Sequence, residues 1–242
     1  MKTIDFFAAP TSSQNKFRRA RFGLFRGLVD KVLSNRSTCK IVDIGGSVGY
    51  WTAFGQDLLS DSRITIAIIN LSYSELQAKP DEFSNVEFII GDACSLDKVE
   101  NKSFDIAHSN SVIEHVGQWR QMRKMASEVR RVSRFHFVQT PYWGFPIEPH
   151  NRTAFFHWLP EQARYRIIMK YKRGFWSRAA TVDEAMEMIQ SNSLLDRAQF
   201  SSLFSSSSIY SEIVFGLTKS LIAVGGDDLQ ILPGSNTRNL RV

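Results

Sequence analysis

Short apolar runs separated by amphipathic stretches fill the middle of the chain. The runs are rich in isoleucine, valine and phenylalanine, as is typical of strands that are buried on both faces of a parallel sheet. They cover residues 40–44, 64–69, 86–90, 104–108 and 135–139. Helical patterns lie between them, most clearly over 50–59 and 119–132. Strands that alternate with helices in this way predict an α/β fold, with a mostly parallel sheet and helices on both of its faces.

An amphipathic helix is predicted near the start of the chain. From Lys16 to Leu33, apolar residues recur at helical spacing with arginines between them. Gly23 and Gly27 weaken this segment as an independent helix. We therefore expect it to pack on the domain or to cover a site, rather than to lie on a membrane. Residues 1–37 then form an N-terminal helical extension of a domain that spans residues 38–224.

The C-terminal part of the chain begins with a segment that breaks the alternation. Residues 140–180 are rich in proline and aromatic side chains and begin as irregular chain, at a place where a long loop is often functional. We expect this segment to be an insertion on the substrate side of the domain. Residues 212–215 and 220–224 predict two further strands joined by 216–219, and the polar tail over 225–242 is expected to be flexible.

The composition excludes several classes of protein. The chain has 242 residues, which suits one α/β domain. Its two cysteines, Cys39 and Cys94, provide neither a disulfide framework nor a C-x-x-C zinc motif. Asp5 interrupts the apolar stretch near the N-terminus, and no apolar run approaches the ~20 residues that a membrane span needs. We therefore expect a cytoplasmic protein without stable membrane insertion.

Positive charge is in modest excess, with a formal net charge of +6. The basic residues concentrate over 16–26 and 120–134. Such stretches are more often solvated helix faces than binding surfaces, so an anionic substrate or a nucleic acid is the alternative interpretation. The charge alone therefore does not favour a nucleic acid partner.

A glycine-rich turn follows the first predicted strand. Residues 42–49 read VDIGGSVG, and a helix is predicted directly after them. Glycine lets the backbone adopt positive φ and approach a ligand closely, and open α/β sheets bind ligands at the carboxyl ends of their strands. A dinucleotide-binding loop requires G-x-G-x-x-G, but Ser47 and Tyr50 stand where its second and third glycines belong. The turn therefore predicts a ligand site of another type.

This turn resembles the first motif of the class I S-adenosylmethionine-dependent methyltransferases, D-x-G-x-G-x-G. Asp43, Gly45 and Gly49 match the pattern, and Ser47 stands at its middle glycine. The resemblance implies that the loop backbone, Gly46 included, approaches the methionine part of S-adenosylmethionine. It also implies that Asp43 orients either the loop or the ammonium group of the cofactor.

Three further segments resemble later motifs of the same family, in the same order along the chain. Asn70 ends the second strand, where the family usually has an acidic residue that binds both ribose hydroxyls. Asp92 and Ala93 follow the third strand, where the resemblance implies a contact with adenine. Ser109 and Asn110 follow the fourth strand and resemble the motif that faces cofactor and acceptor.

The resemblance covers roughly residues 38–224 and carries expectations about fold and activity. The fold is expected to be Rossmann-like, with a seven-stranded sheet whose C-terminal strand runs antiparallel. The activity is expected to be S-adenosylmethionine-dependent methyl transfer to a small polar acceptor. A hydroxyl of a sugar or of another small metabolite is the favoured acceptor, and the choice between oxygen and nitrogen stays open, as does the oligomeric state.

Two histidines are candidates for a catalytic base. A hydroxyl must lose a proton as it is methylated, so a base within hydrogen-bond reach assists the reaction. His150 lies in the loop after the fifth strand, where Pro149 restricts it and Glu148 can orient it or hold a substrate hydroxyl. His115 follows the fourth strand, near the expected position of the methyl group. We favour His150 as the base and expect His115 to shape the methyl site.

No metal site is expected from the sequence, and two other functions are alternatives. His150 and His157 are too far apart for helical metal spacing, and neither cysteine adds a ligand. An RNA methyltransferase of the same fold would use the basic stretches to track phosphates. A cofactor-binding protein without catalysis would account for Ser47 and Asn70, the two departures from the family pattern.

Overall fold

One eight-stranded sheet organises the chain, which the computed structural model describes over residues 13–72, 83–226 and 238–241. The strands in chain order are β1 Cys39–Ile44, β2 Ile64–Asn70, β3 Val86–Ile90, β4 Phe104–Asn110, β5 Ser133–Pro141, β6 Ser208–Val214, β7 Leu217–Gly226 and β8 Arg238–Arg241. Their order across the sheet is β3-β2-β1-β4-β5-β7-β6-β8. Strands β1 to β5 are parallel, and β7 enters antiparallel beside β5. The predicted Rossmann-like α/β fold with an antiparallel C-terminal strand is confirmed.

Helices lie on both faces of the sheet, as predicted. They are α1 Ser13–Leu33, α2 Val48–Phe54, α3 Gln56–Leu59, α4 Trp119–Val132, α5 Glu161–Lys170, α6 Val182–Gln190 and α7 Arg197–Leu203, and single 3₁₀ turns cover Ile113–His115 and Phe156–Trp158. Side chains alternate between the faces of a strand. Ile41 therefore packs under α1 and α2, whereas its neighbour Val42 packs under α4 and α7. None of the described helices is long and apolar enough to cross a membrane.

Helix α1 belongs to the main hydrophobic core. Phe22, Phe25 and Val29 are buried on its inner face, at the spacing that the sequence predicted for this helix. The ring centroid of Phe25 lies 5.9 Å from that of Trp51 and 4.8 Å from that of His108. These contacts hold α1 against β1 and β4, beside the glycine-rich loop.

The segment after β5 has a small core of its own. Phe156, Ile168, Ala185 and Ile189 are buried together between the 3₁₀ turn, α5 and α6. Helix α6 begins at a capping residue, since the Thr181 hydroxyl accepts the N–H of Glu184. The sequence did not predict α5, because the aromatic and basic composition of this segment obscures helical periodicity.

The predicted C-terminal hairpin has different boundaries. Its turn consists of Phe215 and Gly216 alone, with φ of 49° and 80°. Two consecutive residues with positive φ suit the twist of a two-residue hairpin, so β7 begins at Leu217 and the predicted turn over 216–219 is wrong. The helix predicted over 50–59 also differs, because the structure has two helices there that meet at Gly55.

The sheet has eight strands, where the sequence predicted seven. Strand β8 pairs in parallel with β6, with Tyr210 opposite Arg238. It lies within the segment that the sequence assigned to a flexible tail. Because β8 contains four residues of mixed polarity, it has no alternating pattern from which a strand could be predicted.

Candidate functional site

The predicted cofactor residues meet at one edge of the sheet. Since β3, β2, β1 and β4 are adjacent and parallel, the loops after their carboxyl ends lie side by side. The glycine-rich loop follows β1, Asn70 ends β2, Asp92 follows β3 and Asn110 ends β4. The strand order reverses at β1, with β2 on one side and β4 on the other, and ligands bind in the crevice at such a switch point.

Asp43 supports the glycine-rich loop from inside the protein. Its side chain is buried, with Oδ2 accepting the indole N–H of Trp51 at 2.7 Å and Oδ1 lying 2.7 Å from Nδ1 of His108. A Cβ atom on Gly46 would lie only 1.8 Å from Oδ2 of Asp43. Glycine is thus required at 46 by the carboxylate beneath the loop, and Asp43 orients the loop.

Gly45 has the backbone conformation that the loop requires. Its φ is +74°, its N–H donates to the carbonyl of Ile69 at 2.7 Å, and a Cβ atom there would lie 2.6 Å from the methyl groups of Val112. A larger side chain at 45 would therefore strain the fold itself. Ser47 precedes α2 in extended conformation and Gly49 lies in the first turn of that helix.

Asn70 joins the end of β2 to the same loop. Its amide nitrogen donates to the carbonyl of Gly46 at 3.1 Å, and its amide oxygen accepts the N–H of Leu71 at 2.9 Å. An aspartate could accept from Leu71 but could not donate to Gly46. The hydrogen bond to Gly46 therefore explains why asparagine rather than aspartate stands at position 70.

Asp92 closes the turn after β3. Its Oδ1 accepts the N–H of Cys94 at 2.8 Å, its side chain is exposed, and Ala93 packs against the apolar cluster under α4. Burial, together with the negative charge of Asp92, raises the pKa of the Cys94 thiol to about 11. Cys94 is therefore a neutral thiol beside this turn at ordinary pH.

Ser109 and Asn110, adjacent in β4, have different environments. Ser109 is fully buried, and its hydroxyl donates to the carbonyl of Ile44 at 3.0 Å, which ties β4 to β1. Asn110 lies at the strand end, where its amide oxygen accepts a hydrogen bond from the guanidinium of Arg21. Only Asn110 of this pair therefore presents its side chain near the carboxyl edge.

Arg21 brings helix α1 to the carboxyl edge of the sheet. Its guanidinium binds both carboxylate oxygens of Glu212, with the shortest distance at 2.9 Å. Glu212 also accepts the hydroxyl of Ser220 at 2.6 Å. Both members of the ion pair are buried, so each compensates the charge of the other.

Further positive charge surrounds this ion pair. The ammonium of Lys219 lies 4.0 Å from the ring centroid of Phe17. Burial lowers the pKa of Lys219, and the nearby charges of Arg21 and Arg18 add to that effect. Burial and the charge of Arg21 likewise lower the pKa of Arg18. This corner of the site therefore combines several cations with one carboxylate, Glu212.

Glu148 and His150 form a hydrogen-bonded pair in the loop after β5. Nδ1 of His150 lies 2.8 Å from Oε1 of Glu148, whose other oxygen accepts the N–H groups of His150 and Asn151 at 2.8 and 2.5 Å. Burial by itself raises the pKa of Glu148, but its hydrogen bonds to His150 and Asn151 outweigh burial and lower the pKa. Glu148 is thus an ionised carboxylate that orients the imidazole.

His115 faces His150 directly. The two Nε2 atoms are 3.1 Å apart, and the rings are nearly perpendicular, at 85°. Nδ1 of His115 lies 2.9 Å from the carbonyl oxygen of Ser191, at the end of α6. The fold therefore brings together the three predicted catalytic residues, His115, Glu148 and His150. The carbonyl of Ser191 joins them as a hydrogen-bond partner of His115.

Glu114 precedes His115 in the same 3₁₀ turn and belongs to the same group of side chains. It is fully buried, and its Oε2 accepts the hydroxyl of Thr140 at 3.0 Å. Its Oε1 has no hydrogen-bond partner among the described residues. The candidate ligand atoms of Glu114, His115 and His150 all lie within 4.8 Å of one another. The sequence does not indicate this cluster, because His150 lies 35 residues from His115 in the chain.

Exposed aromatic side chains surround the loop that carries His150. Trp143, Phe155 and Trp158 are 46%, 54% and 41% exposed. The Trp158 ring centroid lies 5.1 Å from that of Phe155 and 6.1 Å from that of Trp143. The indole N–H of Trp158 donates to the carbonyl of Trp143 at 2.9 Å, which fixes the two tryptophans relative to each other. This aromatic rim offers exposed flat apolar faces on the segment that also carries His150.

Several site residues could not be found from the sequence. Arg21, Ser191 and Thr140 lie far along the chain from the residues that they contact. Glu114 stands beside His115 in the chain, but nothing in the sequence indicates that its carboxylate is buried. No local pattern indicates such partners, because they are selected by the packing of separate elements.

Comparison with known proteins identifies a methyltransferase domain within the chain. Residues 42–135 match a family model described as a methyltransferase domain, which spans β1 to the start of β5. No curated protein matches the chain by sequence. The chain is similar in structure to the N-terminal domain of EvdMO1 with SAH bound, at 16% identity and a TM-score of 0.50, covering 85% of this chain and 80% of that one.

Two further solved structures show more distant likeness. The PH0226 protein from Pyrococcus horikoshii is 17% identical with a TM-score of 0.49, over 93% of this chain and 96% of that chain. The CurJ carbon methyltransferase is 13% identical with a TM-score of 0.48, and the match covers 78% of this chain but only 48% of that chain.

Proposed function

We propose a hydroxyl of a small polar molecule as the methyl acceptor of this chain, which is a class I S-adenosylmethionine-dependent methyltransferase. S-adenosylmethionine supplies an electrophilic methyl group on a sulfonium. The residues at the carboxyl edge fit that cofactor, since a rigid loop after β1 lies between the polar side chains that end β2 and β4. The loop backbone over 45–49 binds the methionine part, Asn70 supports that loop from the end of β2, and Asp92 faces adenine. Ala93 and Asn110 line the same crevice.

The single observation that carries the proposed acceptor is the oriented imidazole of His150. Glu148 holds its Nδ1, so Nε2 is directed toward His115 and away from the loop that carries it. His115 in turn follows Val112, whose side chain is in contact range of the backbone at Gly45. The imidazole pair is therefore connected to the cofactor loop through one short segment, as a site of methyl transfer requires.

The chemistry at this pair is a displacement with proton removal. The hydroxyl oxygen attacks the methyl carbon, the carbon–sulfur bond breaks with its electrons moving to sulfur, and the hydroxyl proton passes to Nε2 of His150. Glu148 stabilises the imidazolium that forms. Holding the oxygen about 3 Å from the methyl carbon and in line with the sulfur supplies most of the rate enhancement.

The aromatic rim supports a sugar among the candidate acceptors. Sugars present apolar faces that stack on aromatic rings, and hydroxyls that form hydrogen bonds. Trp143 and Trp158 are exposed on the segment that carries His150, and the indole N–H of Trp158 donates to the backbone carbonyl of Trp143. A carbohydrate hydroxyl is therefore the acceptor that best suits both the rings and the base.

A substitution at His150 tests the proposal. Loss of a general base typically lowers turnover by about 10²–10⁴-fold. We expect His150→Ala to lower the release of S-adenosylhomocysteine by that order, measured across a panel of sugars and small alcohols, while the Kd for S-adenosylhomocysteine stays unchanged.

His157→Ala is the matched control for this test. His157 lies on the same segment and hydrogen-bonds the carbonyl of Trp143, but it has no proposed contact with the acceptor hydroxyl or the cofactor. This variant should therefore keep most of its turnover. If His115→Ala lost turnover and His150→Ala did not, the two histidines would have exchanged roles. Normal turnover in both variants would overturn the hydroxyl proposal and favour an amine that arrives neutral.

RNA as acceptor is less well supported by the contacts of the basic residues. Arg131 binds Glu128 and the carbonyls of Leu96 and Val99, and Arg130 binds the carbonyl of Leu203. Both arginines therefore support the fold near α4 rather than present a free basic surface. An RNA acceptor would be indicated by tight, salt-dependent retention of RNA on the purified protein.

A further inference from the structure

We propose that Glu114, His115 and His150 bind one divalent first-row transition-metal ion at the acceptor site. This inference rests on the proposed function and deepens it, because the ion would lie where the acceptor hydroxyl loses its proton. The ligands would be Nε2 of each histidine and Oε1 of Glu114, since these three residues each place a candidate ligand atom within 4.8 Å of the others.

The hydrogen bonds made by Nδ1 of each imidazole leave the lone pair on each Nε2 unused. Nδ1 of His115 faces a carbonyl oxygen and Nδ1 of His150 faces a carboxylate, so each Nδ1 carries the proton of its neutral ring. Both Nε2 atoms are then acceptors, yet they face each other at 3.1 Å. Two neutral rings would repel at this distance, whereas a cation bound by both nitrogens stabilises the arrangement.

Glu114 supplies an independent observation. Its side chain is fully buried, Thr140 satisfies Oε2, and Oε1 has no hydrogen-bond partner among the described residues. Leaving a buried carboxylate oxygen unpaired is energetically costly, more so when the group is charged. A cation beside Oε1 removes this cost and offsets the negative charge.

The surroundings of the histidines match those of metal ligands in general. A metal-binding histidine usually donates its other ring N–H to a carboxylate or a backbone carbonyl, which fixes the ring orientation. Glu148 has this relation to His150, and the carbonyl of Ser191 has it to His115. Both rings are thus already held in the orientation that metal binding needs.

The ligand set indicates the class of ion. Two imidazoles and one carboxylate suit zinc, iron, cobalt or manganese better than magnesium, which prefers oxygen ligands. Three protein ligands leave coordination positions open for an acceptor hydroxyl. Coordination lowers the pKa of a bound hydroxyl, so the ion would make the oxygen nucleophilic. The hydroxyl proton would then pass to solvent water, because the ion would occupy Nε2 of His150.

Metal binding is tested directly on the full chain. We expect the chelator-treated protein to bind one equivalent of Zn²⁺ in a metal analysis, and Co²⁺ with visible absorption of a nitrogen- and oxygen-ligated ion. His115→Ala and His150→Ala should abolish this binding. Glu148→Gln should weaken it about 10–100-fold through loss of orientation. His157→Ala should bind as the wild type does, and circular dichroism confirms that each variant is folded.

The outcomes separate this inference from the proposed function. A wild-type chain that binds no stoichiometric Zn²⁺ or Co²⁺, or a folded His115→Ala/His150→Ala double variant that binds them equally well, overturns the metal site. If chelation leaves turnover unchanged while His150→Ala lowers it, the metal site fails and the histidine base stands. If the ion binds at these residues but no hydroxyl acceptor is methylated, the metal site stands and the proposed acceptor fails.

Discussion

At the scale of single residues, hydrogen bonds made by the side chains of Asn70 and Asp43 determine the shape of the cofactor loop. Asn70 donates to the carbonyl of Gly46 and accepts from the N–H of Leu71, so both ends of its side chain are used within the protein. Asp43 accepts two hydrogen bonds beneath the same loop. The loop is therefore held in place before any ligand binds.

Asn70→Asp should weaken binding of S-adenosylhomocysteine. The carboxylate cannot donate to Gly46 and places negative charge against its carbonyl, and a lost hydrogen bond costs about 0.5–1.5 kcal/mol, or roughly 2–10-fold in Kd. Calorimetric titration measures the effect. The control is Asn35→Asp at the end of α1, where the amide also donates to a carbonyl, that of Lys31, but far from the loop. Equal or tighter binding by Asn70→Asp would show that this side chain holds the ribose instead.

At the scale of elements, α1 is joined to the sheet by one buried ion pair. Arg21 reaches from α1 to Glu212 in β6 and to Asn110 at the end of β4. Phe22 and Phe25 pack beside it in the core. The helix therefore depends on both a charged and an apolar contact, and its position determines the environment of Asn110.

Arg21→Ala should strongly destabilise the fold. Removing one partner of a buried pair leaves the carboxylate of Glu212 uncompensated, at a cost of about 3–5 kcal/mol. Urea denaturation measures the change in the free energy of unfolding. Arg26→Ala is the control on the same helix, because its ion pairs with Asp30 and Asp57 are partly exposed and such pairs contribute about 0–1 kcal/mol each. Equal effects of the two substitutions would contradict the role assigned to Arg21.

At the scale of the whole molecule, the cofactor crevice is built from strands in the middle of one continuous sheet. The strands β2, β1 and β4 that surround it are buried on both faces. Helices α1 and α4 cover those faces, so ligand binding at the carboxyl edge is coupled to the stability of the whole sheet.

S-adenosylhomocysteine should raise the melting temperature of the protein. At a concentration of 100 Kd, a ligand that binds only the folded state stabilises it by about 2.7 kcal/mol, which corresponds to roughly 5–10 °C for a domain of this size. Differential scanning calorimetry measures the shift. His150→Ala should show the same shift, since His150 has no proposed contact with the cofactor. The absence of any shift in the wild type would mean that the crevice at β1 does not bind the cofactor.

The sequence by itself determined the elements and the order of the motifs. Apolar runs predicted β1 to β5, and helical spacing predicted α1 and α4, because these patterns depend only on residues that are close in the chain. The glycine-rich loop could be identified for the same reason, since its backbone conformation is a local property. Its resemblance to a known motif then indicated the cofactor.

Only the tertiary structure decided which side chains meet. His115 and His150 are 35 residues apart, Arg21 and Glu212 are 191 apart, and Asn70 and Gly46 are 24 apart. Such contacts leave no periodic signal, because they depend on how strands and helices pack against one another. The same holds for β8, whose pairing with β6 depends on an open strand edge rather than on its own sequence.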